Sequence, residues 1–263
     1  IWLHPKQGTD AALAMAFGHV ILREFHVDNP SQYFQDYCRQ YSDMPMLVRL
    51  NPLADGSYAT DRFLRAADLA NGVDENNNPE WKTLAIDEGS QQIVVPRGSV
   101  GFRWGEKGKW NIEERDSQGR DTKLSLSLSG KHDAVVEVSM PYFGGVEHEK
   151  WTSNAFEEIL KKRIPAKRLM LADGSETWVA TVYDLLLAQY GVDAGLGGNY
   201  VTRDFEANVP GTPAWQEKIT GVSRRDVIQI ARELARTADK TRSRIMIIVG
   251  AAMNHWYHSD MNY

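Results

Sequence analysis

Ile1-Trp2-Leu3-His4-Pro5-Lys6-Gln7-Gly8-Thr9-Asp10-Ala11-Ala12-Leu13 is the stretch on which the reading of the fold turns. Ile1 to Leu3 reads as the end of a strand, Pro5 and Gly8 punctuate a turn, and Thr9 or Asp10 caps a helix. Leu13, Ala16, Phe17, Val20 and Ile21 share one face of that helix. Strand, polar loop and helix N-terminus in this order make one unit of an α/β sheet. The unpaired N–H groups and partial positive charge at a helix start suit the loop to a phosphate or another anion. The same layout occurs in α/β proteins that bind nothing there, so geometry alone leaves ligand binding open. Asp10 narrows the choice: a carboxylate in the first turn favours the helix but repels phosphate. Its fitting partner in a nucleotide is guanine, whose ring N–H and exocyclic amine lie side by side as two donors. A plain N-cap is the competing reading of Asp10.

The far end of the chain repeats the pattern. Ser223 and Asp226 make a short-armed capping box, and Val227, Ile230, Ala231, Leu234 and Ala238 form the apolar stripe of a long helix. Ile245-Met246-Ile247-Ile248-Val249 follows, an uninterrupted apolar run of the kind found in strands covered on both faces. Gly250 then falls at the strand's carboxyl end, where open α/β sheets place ligands. The predicted fold class is therefore α/β: an open, mostly parallel sheet flanked by helices.

Between these ends, residues 51–150 change character. Short β-prone runs at 63–66, 82–86, 92–95, 100–104, 123–128 and 134–139 alternate with turns such as Pro96-Arg97-Gly98 and Ser117-Gln118-Gly119-Arg120. They predict an antiparallel, loop-rich β insertion between an α/β segment at 1–50 and another at 151–263. Elsewhere the pattern predicts a helix after Asp28-Asn29-Pro30 carrying Tyr33, Phe34, Tyr37, Cys38 and Tyr41, and a buried strand at 46–48. It also predicts a helix over 155–162 capped by Ser153, a hairpin turning at Ala172-Asp173-Gly174, and helices begun by Thr181 and Pro213.

Composition excludes several classes. With 263 residues, 42% hydrophobic and 25% charged, the chain can bury a sizeable core. A net charge of -5 argues against a general nucleic-acid binder; the basic cluster Lys161-Lys162-Arg163, Lys167-Arg168 reads as a solvated helix end. A single cysteine, Cys38, forbids an internal disulfide and reads as a core thiol. No apolar run is long enough to cross a bilayer. The start at Ile1 inside an apparent strand and the end at Tyr263 point to a piece of a longer polypeptide. His255 and His258 stand three apart but have no third ligand nearby, so no metal site is assigned and Asn254 and His255 are read as hydrogen-bonding groups. His148 reads as a solvated histidine, and no nucleophile triad, Walker loop or GxGxxG is present, so no catalytic residue is assigned.

The run Lys6-Gln7-Gly8-Thr9-Asp10-Ala11-Ala12-Leu13, the pair Thr220-Gly221-Val222-Ser223 and Ile230-Ala231-Arg232-Glu233, and Gly250-Ala251-Ala252-Met253-Asn254-His255 resemble landmarks of the molybdopterin oxidoreductases. The longer runs Leu22-Arg23-Glu24-Phe25-His26, Gly101-Phe102-Arg103-Trp104-Gly105-Glu106-Lys107-Gly108-Lys109-Trp110 and Asn254-His255-Trp256-Tyr257-His258 look like the catalytic alpha subunits of membrane-bound respiratory nitrate reductases. The resemblance implies a molybdenum held by two molybdopterin guanine dinucleotides, reducing nitrate to nitrite. Electrons would come from quinol through iron–sulfur clusters, including a 4Fe-4S cluster whose ligands, like the molybdenum ligand, belong to segments outside this chain. It implies an iron–sulfur beta subunit and a membrane cytochrome b gamma subunit as partners, and a membrane-associated place at the cytoplasmic face. Gly8, Thr9 and Asp10 carry over as cofactor contacts, with Asn254 and His255 as second candidates. A selenate, chlorate or formate enzyme of the same superfamily, and a non-redox nucleotide-binding module, are the alternatives.

Overall fold

The computed structural model describes residues 2–69, 73, 78–98, 112–141, 159–248 and 250. Its centre is a closed barrel in the order β1 (Leu47–Pro52), β2 (Tyr58–Phe63), β5 (Ala134–Pro141), β6 (Ile159–Met170) and β7 (Glu176–Thr181). The expectation of an open, mostly parallel sheet flanked by helices is thus overturned. Every ladder is antiparallel except the β2–β5 contact, which rests on Tyr58 facing Val138. A short separate pair, β3 (Ala85–Ile86) with β4 (Ile93–Val94), lies outside the barrel. Closure is the physical alternative to open edges: β7 pairs with β6 on one side and β1 on the other, which leaves no row of unpaired backbone groups at that seam.

Two hairpin turns set the barrel register with the same three residues. At Asp55-Gly56-Ser57, Leu53 N–H donates to Ser57 O at 2.7 Å, and the Asp55 carboxylate accepts from Ser57 N at 3.0 Å. At Asp173-Gly174-Ser175, Leu171 N–H donates to Ser175 O at 2.8 Å and Asp173 accepts from Ser175 N at 2.9 Å. Both glycines sit at φ +82°, a conformation that side-chain-bearing residues pay for, so each turn needs its glycine.

The predicted helix over 155–162 is corrected at its described end, where residues 159–162 begin strand β6. Over its first half the strand buries one face: Leu160, Lys162, Ile164 and Ala166 are buried, Lys161 is half-buried and Arg163 exposed, with Pro165 buried as well. Ile164 and Ala166 join Leu50, Val136, Val138, Met140 and Ala180 in one core cluster, with Ala188 packed among them. The basic cluster is accordingly not a solvated helix end. Lys162 Nζ donates to Ala188 O at 2.6 Å and Gln189 O at 3.3 Å, the last carbonyls of α3 (Val182–Gln189), and burial lowers its pKa to about 8. A cation at a helix C-terminus meets both the free carbonyls and the negative end of the dipole.

At its other end, α3 is fixed by Asp184. Thr181 caps the helix by accepting from Asp184 N at 3.1 Å, and the buried Asp184 carboxylate accepts from Ser127 Oγ (2.6 Å), Leu128 N (2.8 Å) and Thr181 Oγ1 (2.9 Å). Asp184→Ala strands three donors at once, two of them buried, and we expect a loss of about 3 kcal/mol in urea unfolding. Asp184→Asn, which keeps one acceptor oxygen, should lose less; equal losses would show that the helix, not the donors, sets the cost.

A helical layer packs beside the barrel: α1 (Asp10–Leu22), α4 (Pro213–Thr220) and α5 (Arg224–Thr241). Helix α1 runs into a π-helical turn over Arg23–Asp28, after which α2 (Gln32–Tyr41) starts with Ser31 as its cap, accepting from Phe34 N at 3.4 Å. Contacts between α1 and α5 advance together along both chains. Ala16 clusters with Val222 and Val227, Val20 with Ala231, and Glu24 holds Arg232 by bonds of 2.6 to 3.1 Å; beyond them Ser31 reaches Asp239. The two helices therefore run parallel, with their N-termini at one end.

The strands expected on either side of this layer do not form among the described residues. Trp2 and Leu3 enter no ladder, and Met246, Ile247 and Ile248 are 82%, 75% and 83% exposed. Apolar β-branched sequence gives a run the capacity to be a strand; neighbouring strands must supply the hydrogen bonds, and none of the described strands pairs with it.

The segment that ties barrel to helices is Tyr190-Gly191. His19 Nδ1 lies 2.8 Å from Tyr190 O, Gly18 leaves its face open to the Tyr190 ring, and Thr202 N–H donates to Gly191 O at 2.9 Å. The glycine-rich link at 191–199 is an ordered loop whose Asp193 carboxylate accepts from Gly195 N and Gly197 N at 2.8 and 3.0 Å.

Candidate functional site

The loop that opens the chain is built by backbone turns. Thr9 N–H and Thr9 Oγ1 both donate to Lys6 O, at 3.2 and 2.6 Å, and Gly8 takes φ +75° to close the turn. Lys6 N–H donates to Thr220 O at 3.0 Å, which fastens the loop to the end of α4. That end is itself rigid. Gly221 at φ +76° terminates the helix, and Gln216 Nε2 donates to Val222 O at 2.8 Å. Thr220 Oγ1 donates to Gln216 Oε1 at 2.8 Å and accepts from Val222 N at 2.9 Å, so the buried polar groups satisfy one another.

This fastening places Gly8-Thr9-Asp10 beside Thr220-Gly221-Val222-Ser223, and so sets the N-terminus of α1 next to that of α5. The capping of these two helices is distinctive. Helices α2, α3 and α4 each have a side-chain cap, from Ser31, Thr181 and Thr212. Helices α1 and α5 have none: the Thr9 hydroxyl is turned to Lys6 O, and Ser223 makes no cap bond. First-turn N–H groups without a side-chain acceptor are open to solvent or to an anion, and two parallel dipoles at one end add their positive potential.

Gly8 and Asp10 are exposed and Thr9 is half-buried; the Asp10 carboxylate has no hydrogen bond or ion pair with any described residue. A Cβ added at Gly8 would meet nothing within 4 Å, so open space lies over the turn. Exposed Lys6 adds one positive charge at the rim, its Cε 3.7 Å from the Cβ position of Gly221. The structure thus gathers Gly8, Thr9 and Asp10 at one helix end. Asn254 and His255 lie outside the described residues, as do His148 and the tryptophan-rich run at 101–110. Among the described residues no group of His, Cys, Asp and Glu could hold a metal ion, and no helix is long and apolar enough to cross a membrane. Sequence reading gave no role to Gln216, whose burial and three-way bonding set the rigid wall beside the loop; a glutamine five residues before the α4 glycine cap carries no pattern of its own.

No protein-family model matches the chain. Comparison with known proteins gives 57% identity over 262 residues with the respiratory nitrate reductase 2 alpha chain of Escherichia coli K12, covering all of this chain and 21% of that protein. By sequence, the chain is related along its whole length to respiratory nitrate reductase alpha chains. The nitrate reductase alpha chain of Bacillus subtilis is 41% identical over 263 residues, again across the full chain and 20% of the relative. The perchlorate reductase subunit alpha of Dechloromonas aromatica is 26% identical over 264 residues, 99% of this chain. The chain therefore spans about a fifth of the length of these relatives, as an internal fragment would. The alpha-chain relatives are oxidoreductases, and the match bears out the resemblance of the chain to respiratory nitrate reductase alpha subunits.

Proposed function

We propose that this chain is a segment of a respiratory nitrate reductase alpha subunit and forms one wall of its molybdopterin guanine dinucleotide site. The observation that carries the reading is the match to nitrate reductase alpha chains at 57% identity across the full chain. Nitrate reductase is favoured over an oxychlorine reductase because identity falls to 26% with the perchlorate enzyme's subunit. The cofactor, when bound, supplies oxygen-atom transfer from nitrate. The residues here position it: the uncapped N-termini of α1 and α5 fit a diphosphate, Lys6 adds charge, and the unpaired Asp10 carboxylate fits a guanine edge. Asn254 and His255 are proposed as further contacts from sequence. The molybdenum ligand, the 4Fe-4S ligands, the iron–sulfur beta and cytochrome b gamma partners, and attachment to the membrane at its cytoplasmic face through those partners complete the proposal; all involve groups outside this chain.

The test is Asp10→Ala in the longer subunit. We expect guanine dinucleotide content per subunit to fall while the chain's urea midpoint stays within the effect of an exposed residue. Full cofactor content with a stability loss of about 1 kcal/mol would instead identify Asp10 as a first-turn helix residue only. Metal-loaded enzyme that turns over perchlorate but not nitrate would overturn the substrate.

A further inference from the structure

Helix α2 carries Tyr33, Tyr37 and Tyr41 at four-residue steps, which stacks them on one face. Their ring centroids lie 6.1 Å apart for the first pair and 5.0 Å for the second, with planes at 51° and 41°. Other residues of the helix, Phe34 and Cys38, face inward: Cys38 is buried beside Leu22 and Tyr183, and Phe34 stacks on His26. The tyrosine row faces out, with Tyr37 45% and Tyr41 59% exposed.

The two ends of the row differ in charge and bonding. The Tyr33 hydroxyl is engaged by Ser243 Oγ, and the Arg242 guanidinium lies 5.5 Å above its ring. A cation over an aromatic face is attracted to the ring's electrons and so opposes their removal. Among the described residues, Tyr37 and Tyr41 carry no such cation and their hydroxyls have no partner. An electron is therefore lost more easily from this pair than from Tyr33, and the phenolic protons can leave directly to water.

We propose that Tyr37 and Tyr41 form an oxidative coupling site, at which a dissolved one-electron oxidant links the two rings within one chain. Each phenol gives one electron to the oxidant and one proton to water. The resulting phenoxyl radicals join through a carbon–carbon bond between ring positions next to the oxygens, and the two hydrogens displaced there return to the oxygens as the rings regain aromaticity. Two equivalents of oxidant are reduced by one electron each. The 5.0 Å stack supplies the encounter that separate surface tyrosines would need a collision to achieve. This site is independent of the cofactor reading, since it uses neither the opening loop nor α5.

The experiment is illumination of the chain with tris(bipyridyl)ruthenium(II) and persulfate, followed by isolation of the monomer and trypsin digestion. Trypsin cuts after Arg39, between the two tyrosines. Coupling is expected to appear as the peptides 24–39 and 40–49 held together, two hydrogens lighter than their sum, with dityrosine fluorescence. Tyr37→Phe or Tyr41→Phe keeps each ring in the stack and should reduce the linked species to background, whereas Tyr33→Phe should leave it. Persistence of the link in Tyr37→Phe, or coupling only between separate chains, would overturn the proposal.

Discussion

Acidification from pH 7 to pH 4 is expected to remove about 4 kcal/mol of the chain's stability, most of it before the surface carboxylates protonate. The cause is two histidines folded in as neutral rings. His19 is fully buried, its Nδ1 facing Tyr190 O and its ring edge-on to Phe205; His26 is stacked on Phe34. Burial lowers the pKa of both to about 4 from the ordinary 6.5. Below pH 6.5 the unfolded chain takes up protons that the folded chain refuses, so the stability present above that pH is lost as pH falls towards 4. At 1.36 kcal/mol per pH unit, each histidine costs roughly 3 kcal/mol by pH 4.

Asp184 acts in the opposite sense. Burial raises its pKa to about 6, so the folded state protonates it while the unfolded state still holds it ionised, and it returns about 2 kcal/mol over the same range. The urea midpoint measured at pH 7, 5.5 and 4 checks the net slope. His26→Phe keeps the stack on Phe34 while removing one titrating ring, and should flatten the decline by about three quarters, to roughly 1 kcal/mol. An unchanged slope in that variant would refute the assignment.

Gly191→Ala is expected to be among the most damaging single methyl additions in the chain, at about 3–4 kcal/mol. Gly191 sits at φ +73°, where an L side chain costs roughly 1–2 kcal/mol. The added Cβ would also stand 2.5 Å from Pro210 O, and Gly211 crosses as closely in return, its Cβ position 2.5 Å from Tyr190 O. Both obstacles are backbone, so relief requires moving the connection from α3 to α4 that His19 and Thr202 also grip. Gly56→Ala is the control: it shares the positive φ but meets nothing within 4 Å, so it should lose only the conformational part. Equal losses at the two sites would show that the crossing of backbones contributes nothing.

Local features were legible in sequence wherever one segment contains its own physical cause. Ser223, Thr181 and Pro213 announced their helices, and Gly221 its helix end; Asp173-Gly174 announced a hairpin. The twin turn Asp55-Gly56-Ser57 carries the same local signal. The loop at Gly8-Thr9-Asp10 was identifiable as a helix-start turn, and the longer runs as nitrate reductase sequence.

Partnership was not legible, because hydrogen-bonding partners are chosen between segments distant along the chain. Lys161-Lys162-Arg163 reads as a charged helix end until β5 pairs with β6; alternation then sends Lys162 inward to the carbonyls of α3 and leaves Arg163 outside. Ile245 to Ile248 has the composition of a central strand and lies exposed, since composition supplies the capacity and only a neighbour completes the ladder. By itself, the sequence determined the kinship of the chain, the starts of its helices and the residues of its opening loop, while the capping bonds expected at Thr9 or Asp10 and at Ser223 do not form. Only the tertiary structure decided that the sheet closes into a barrel and that two uncapped helix N-termini meet at that loop, because both depend on long-range packing that no local periodicity encodes.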